Sequence, residues 1–130
     1  FTYSLYPHKG GFVDADVVKQ AYLLNNPFYA VSVKAKAGKF NDFYSFVNTD
    51  CDNVVAETVK KAEDDSGVVV RLYESANKRQ KVKINFGFEI KRAALCNLME
   101  TETEELCVRD NSVICKLKPF EIITLKVESK

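Results

Sequence analysis

Residues 82–90 read Val82-Lys83-Ile84-Asn85-Phe86-Gly87-Phe88-Glu89-Ile90, with an apolar side chain at every second position. That period of two is the pattern of a strand with one face on a core and the other in water. It predicts a single strand over the whole stretch. Working toward the N-terminus, Val68, Val70 and Leu72 alternate with Val69, Arg71 and Tyr73, and Ser75 to Gln80 reads as the polar hairpin loop between the two runs. Toward the C-terminus, strands are predicted over about 93–99, 113–117 and 120–127, with an acidic loop at 101–105 and Lys118-Pro119 separating the final pair.

The N-terminal third repeats the pattern. Phe1 to Tyr6 alternates, stops at Pro7 and bends through Lys9-Gly10-Gly11, and the segments 28–33, 42–47 and 53–60 also read as strands. One segment differs: Val13, Val17, Ala21 and Leu24 recur at helical spacing and end at Asn25-Asn26-Pro27, which forbids continuation. The predicted fold class is all-β, an antiparallel β-sandwich with one short helix near residues 13–24. One-faced alternation excludes the doubly buried strands of a parallel sheet. The 130 residues read as one domain, with a sub-boundary expected near 49–53.

Charge narrows the partners. With 19 basic and 18 acidic residues the formal net charge is +1, which supplies no field for nucleic acid or an anionic membrane. No apolar run approaches the roughly 20 residues of a transmembrane helix. Of the four cysteines, Cys96 and Cys115 lie in apolar-alternating runs, and none forms a CxxC pair. Buried free thiols in a reducing, cytoplasmic setting are therefore expected.

A search for reactive groups finds none to assign. The single histidine, His8, has no nucleophile or metal-ligand companion at a familiar spacing. Lys9-Gly10-Gly11 is a turn rather than a phosphate-binding loop, and Asp50-Cys51-Asp52-Asn53 lacks the glycine and closing glutamate of a calcium loop. No catalytic residue and no metal ligand is assigned. Six tyrosines and nine phenylalanines could form a sugar-stacking platform, although no tryptophan is present and core packing explains most of the phenylalanines.

Several phrases carry a resemblance. Phe1-Thr2-Tyr3-Ser4-Leu5-Tyr6-Pro7-His8, Leu23-Leu24-Asn25-Asn26-Pro27, the run Asn53 to Glu63, Val69-Val70-Arg71-Leu72-Tyr73-Glu74, Asn97-Leu98-Met99-Glu100 and the run Lys118 to Leu125 occur in an order that resembles the C-terminal β-sandwich region of glycoside hydrolase family 38 α-mannosidases, nearest the cytosolic and bacterial branch. The resemblance implies a retaining hydrolase of α-linked mannose. Its aspartate nucleophile, its acid and a zinc ion lie in an N-terminal catalytic domain outside these residues.

On that reading the chain is a non-catalytic accessory piece of a larger enzyme, without a cofactor or activity of its own. Its partner is the N-terminal catalytic domain of the same polypeptide, and it meets a mannose-containing glycan through that parent. Tyr6, His8, Asn25 and Asn26 then become candidates for contact with the catalytic domain or the substrate, against the alternative that they cap turns. A chain that opens in mid-strand is expected to have lost a neighbour, and a homodimer across the exposed face is a further expectation. An independent carbohydrate-binding module and an immunoglobulin-like interaction domain are the competing readings.

Overall fold

The computed structural model describes residues 2–34, 37, 38, 40 and 42–130. It divides into two compact units, Phe1–Lys39 and Phe40–Lys130.

Among the described residues of the first unit, α1 (Val17–Asn25) is the one helix. It starts later than the apolar stripe from Val13 predicts, because the preceding residues satisfy their backbone locally. An Asp14 carboxylate oxygen accepts from Gly11 N at 3.0 Å, and Asp16 sits in the left-handed region at φ 51°. Short acidic side chains favour such turns over helix. The strand expected at the N-terminus does not form over the described residues 2–6, nor does the one expected at 28–33. Phe1 lies outside the described residues. Both runs lack regular secondary structure and are solvent-exposed, with Leu5 94% and Tyr29 93% accessible. Alternation specifies a strand only if a neighbour supplies the backbone partners, and among the described residues neither run is part of a β-ladder.

The second unit holds β1 (Val47–Thr49), β2 (Val54–Lys61), β3 (Val68–Glu74), β4 (Gln80–Phe86), β5 (Ile90–Cys96), β6 (Glu102–Leu106), β7 (Ser112–Leu117) and β8 (Ile122–Ser129). They form a three-stranded sheet in the order β1-β4-β7 and a five-stranded sheet in the order β2-β3-β8-β5-β6, antiparallel throughout. Val82, Ile84, Phe86, Val113, Cys115 and Leu117 of the smaller sheet pack with Val70, Leu72, Ala93, Leu125 and Val127 of the larger one. This is the antiparallel β-sandwich with one short helix that the alternation predicts.

Three boundaries differ from expectation. The stretch 82–90 is two strands, because the chain turns at Gly87. A Cβ there would stand 2.3 Å from Ser45 O, so only glycine permits the approach, and Gly87 N donates to Phe46 O at 3.0 Å. Val82, Ile84, Phe86 and Ile90 are nonetheless all buried, so the alternation survives a turn it does not reveal. The strand expected over 42–47 shrinks to β1, since Tyr44 and Phe46 bond to Gly87 at the end of β4 instead of extending alongside it. The acidic segment 101–105 is an edge strand, β6, whose charged side chains discourage pairing with a foreign edge.

The outer face of the larger sheet is also largely closed. In register across its five strands stand Lys60, Val69, Lys126, Ala94 and Glu105. Val69 and Ala94 are buried, and Lys126 is only 8% exposed. Its ammonium lies 2.5 Å from an Asp64 oxygen, while Lys60 bridges Glu63 and Glu100, the latter at 2.7 Å. Long basic side chains thus roof small apolar ones. Among the described residues, no helix is long and apolar enough to cross a membrane, which says nothing of barrels that cross with strands.

Candidate functional site

Sequence-derived candidates fall in the first unit, in two pairs. The Tyr6 and His8 rings lie 5.6 Å apart, tilted by 36°, and the Tyr6 hydroxyl donates to Ala15 O at 3.4 Å. Asn25 Nδ2 donates to Ala21 O at 2.9 Å, and Asn26 donates to Tyr22 O from both Nδ2 and its backbone N–H. Both asparagine side chains are therefore turned back onto carbonyls near the C-terminal end of α1. Among the described residues, no hydrogen bond or ring contact links the two pairs. All four side chains are partly or fully exposed.

Metal-binding chemistry has no foothold here: among the described residues, no three His, Cys, Asp or Glu side chains cluster to hold an ion. The described residues therefore provide no ligand set for the zinc that the resemblance implies. Asp50, in the run that superficially resembles a calcium loop, instead completes a sheet edge. Its Oδ1 accepts from Lys83 N at 2.8 Å, and its own N–H donates to Lys83 O at 3.1 Å. The side chain and backbone of one residue thus replace a neighbouring strand beyond the short β1. The Lys83 N–H, then the Cys51 thiol, hold the Asp50 carboxyl below the usual carboxylate range.

A sequence reading misses the most constrained polar group. Glu74, at the end of β3, is 1% exposed and accepts hydrogen bonds from Asn53 Nδ2 at 2.9 Å, Ala76 N at 2.8 Å and Phe120 N at 3.0 Å. Burial pushes its pKa up, but the N–H of Phe120, the Asn53 amide and the N–H of Ala76 outweigh it and hold the carboxyl below its ordinary value. Three loops converge on one carboxylate, and each donor is internal. The arrangement ties loops together and leaves no lone pair aimed at a substrate. Neighbouring Arg71 donates to Thr124 Oγ1 at 3.4 Å.

The four cysteines are free: Cys96 and Cys115 are buried, Cys51 is half-buried and Cys107 is exposed. Burial pushes the Cys115 thiol up to about 11 and raises Cys96 as well. Neither is poised as a nucleophile.

Side chains with no internal partner lie on the outer face of the smaller sheet. There Asn48 stands directly opposite Asn85, and the exposed Lys83, Lys81 and Lys116 continue along β4 and β7. At the end of β4 the half-exposed Phe46 ring stacks on Phe88 with centroids 4.6 Å apart and planes at 28°, and Phe88 meets the buried Phe86 edge-on at 5.6 Å.

Comparison with known proteins places this arrangement. The family model described as glycosyl hydrolases family 38 C-terminal beta sandwich domain matches residues 53–125, which run from the start of β2 into β8. The chain is 35% identical over 130 residues to human alpha-mannosidase 2C1, covering 96% of the chain and 12% of that protein. Alpha-mannosidase G of Dictyostelium discoideum is 36% identical over 133 residues, covering 97% and 12%. The alpha-mannosidase of Saccharomyces cerevisiae is 29% identical over 147 residues, covering 96% and 13%. The chain therefore spans about an eighth of the length of these relatives. With its two-sheet architecture and the match running through both sheets, it belongs to the glycoside hydrolase family 38 C-terminal β-sandwich domains.

Proposed function

We propose that this chain is the non-catalytic accessory β-sandwich of a retaining α-mannosidase, supporting or rimming the active site of an N-terminal catalytic domain in the same polypeptide. One observation carries the reading: nearly the whole chain aligns with about an eighth of several α-mannosidases, within the region that the family description calls C-terminal. The polar groups that the fold buries most deeply are used to join loops, as Glu74 does, which suits a scaffold. The runs at 2–6 and 28–33 expose apolar side chains that the remainder of such a polypeptide would cover. Zinc belongs to the catalytic domain on this reading, and Tyr6, His8, Asn25 and Asn26 are contact positions toward it. Four unpaired cysteines favour a cytoplasmic location.

The test is activity by parts. The purified chain is expected to fold and to leave an aryl α-mannoside intact with zinc present, while the full-length polypeptide hydrolyses it. Metal-dependent turnover by the chain alone would refute the assignment. A second reading, a module that binds carbohydrate itself, is favoured by the half-exposed Phe46 ring, which stacks on Phe88.

A further inference from the structure

β7 is one edge of the three-stranded sheet, and the direction of its backbone groups follows from its neighbour β4. The Lys83 N–H and C=O are both engaged with Asp50, on the β1 side. Backbone groups alternate sides along a strand, so Gln80, Val82 and Ile84 direct theirs to Leu117, Cys115 and Val113 of β7. Ser112, Ile114 and Lys116 therefore direct theirs away from the sheet. Ser112 exchanges both of its bonds with Arg109 at 2.9 Å, which covers the first position. Among the described residues, no hydrogen bond reaches the backbone of Ile114 or Lys116 on that side. The other edges are guarded. β1 is short and is continued by the Asp50 side chain, β2 carries a bulge between Ala56 and Thr58, and β6 carries Glu102, Glu104 and Glu105.

The open edge also carries uncompensated charge. On the outer face Lys81 stands directly opposite Lys116 and Lys83 opposite Ile114, and all four side chains are exposed. Like charges directly opposed in a sheet repel. Among the described residues, none of the three lysines lies in an ion pair. A second copy of β7 laid against this edge would bring two such groups of lysines together, so the charges select against self-pairing and for acidic side chains. We propose that the β7 edge receives an extended acidic segment of a partner protein as a further antiparallel strand of the smaller sheet. Ile114 and Lys116 each exchange both backbone bonds with it. Alternate carboxylates of the segment lie on the outer face, one opposite Lys116 and one over Ile114, with Lys81 and Lys83 behind them on β4. Two backbone positions and exposed charges make the interaction weak and sensitive to salt. This inference goes beyond the accessory reading and does not depend on it.

The experiment is an NMR titration of the ¹⁵N-labelled chain with a short capped peptide of alternating glutamate and threonine. Expected are saturable shifts of the backbone amides at 112–117, with slowed hydrogen exchange at the Ile114 and Lys116 N–H, which only strand bonding produces. Lys116→Glu and Lys81→Glu, both at exposed positions, should keep the folded spectrum and each weaken the response several-fold. Added salt should weaken it as well, and a peptide with lysine in place of glutamate should leave the spectrum unchanged. Silence up to several millimolar peptide, an equal response to the lysine peptide, or shifts without slowed exchange at Ile114 and Lys116 would overturn the proposal. Saturation of this face by a short nucleic-acid or sulfated oligomer but not by the peptide would do the same. So would β7 shifts that grow with the concentration of the chain alone, the mark of a second copy. Those outcomes leave the accessory reading standing, and turnover of an aryl α-mannoside by the chain would sink that reading without touching this one.

Discussion

The backbone N–H of Phe120 donates to Glu74 Oε2 at 3.0 Å across 46 positions of sequence, and Phe120 itself sits at φ 57°. Pro119 fixes the residue before it, and Glu121 N closes the turn onto Lys118 O at 3.1 Å. A bulky residue at positive φ is strained. The turn therefore keeps this shape because a buried carboxylate is waiting for its N–H.

Removing that carboxylate should be among the most damaging single changes. Glu74→Ala leaves the Asn53, Ala76 and Phe120 donors without their acceptor, and is expected to lower stability by roughly 2–4 kcal/mol. The pH dependence has a definite sign. The folded-state pKa of Glu74 is depressed below the ordinary value of a glutamate, so the unfolded chain binds the proton more readily. Its contribution is complete above that unfolded value and is lost as pH falls through the folded pKa. Denaturant titrations of Glu74→Gln should show a flatter loss of stability on the acid side than the parent chain; an unchanged slope would contradict the assignment.

Phe120→Gly is expected to relieve backbone strain at an exposed position. The gain, up to about 1 kcal/mol, is partly offset by the greater freedom of glycine in the unfolded chain. A thermal melt at neutral pH checks it, and a loss of more than 1 kcal/mol would show that the side chain packs more tightly than its exposure indicates.

Gly87→Ala should fail for steric reasons. The new methyl would lie 2.3 Å from Ser45 O and 2.9 Å from Tyr44 Cζ, forcing the chain before β1 off the end of β4. A destabilisation of about 1–3 kcal/mol follows. Gly11→Ala, whose nearest contact would be 3.5 Å, is the control, with an expected effect within about 0.5 kcal/mol.

Thiol labelling should sort the cysteines by burial. An aromatic disulfide reagent at pH 8 is expected to modify Cys107 rapidly and Cys51 slowly. Cys51 is half-buried, and burial followed by the neighbouring Asp50 pushes its thiol up. Cys96 and Cys115 should react only on unfolding. Cys107→Ser should abolish the fast phase, and two fast-reacting thiols in that variant would contradict the placement of Cys96 and Cys115.

Alternation identified the sandwich because burial on one face leaves a period of two wherever a strand finds a neighbour. Val82, Ile84, Phe86, Val70 and Leu72 all lie in the core as that period requires. It misled at 2–6 and 28–33, where the same pattern is present without a partner, and at Gly87, where the period continues through a turn. The helix was legible from its spacing, but its start was not, since the competing bonds of Asp14 and the left-handed Asp16 are local geometry. Among candidate site residues, Asn25 and Asn26 were identifiable as turn formers. Glu74 was hidden, because a glutamate in a strand gives no sign that Asn53, Ala76 and Phe120 will surround it.

The order of residues by itself determined the class of fold, the turns marked by polar or proline-bearing runs and the kinship with a mannosidase sandwich, because these rest on periodicity and on local backbone preference. Only the tertiary structure decided which carboxylate is buried, which thiols are shielded and which asparagines stand opposed with free amides. Those properties arise from strand register and sheet stacking, which bring together groups that are far apart along the chain.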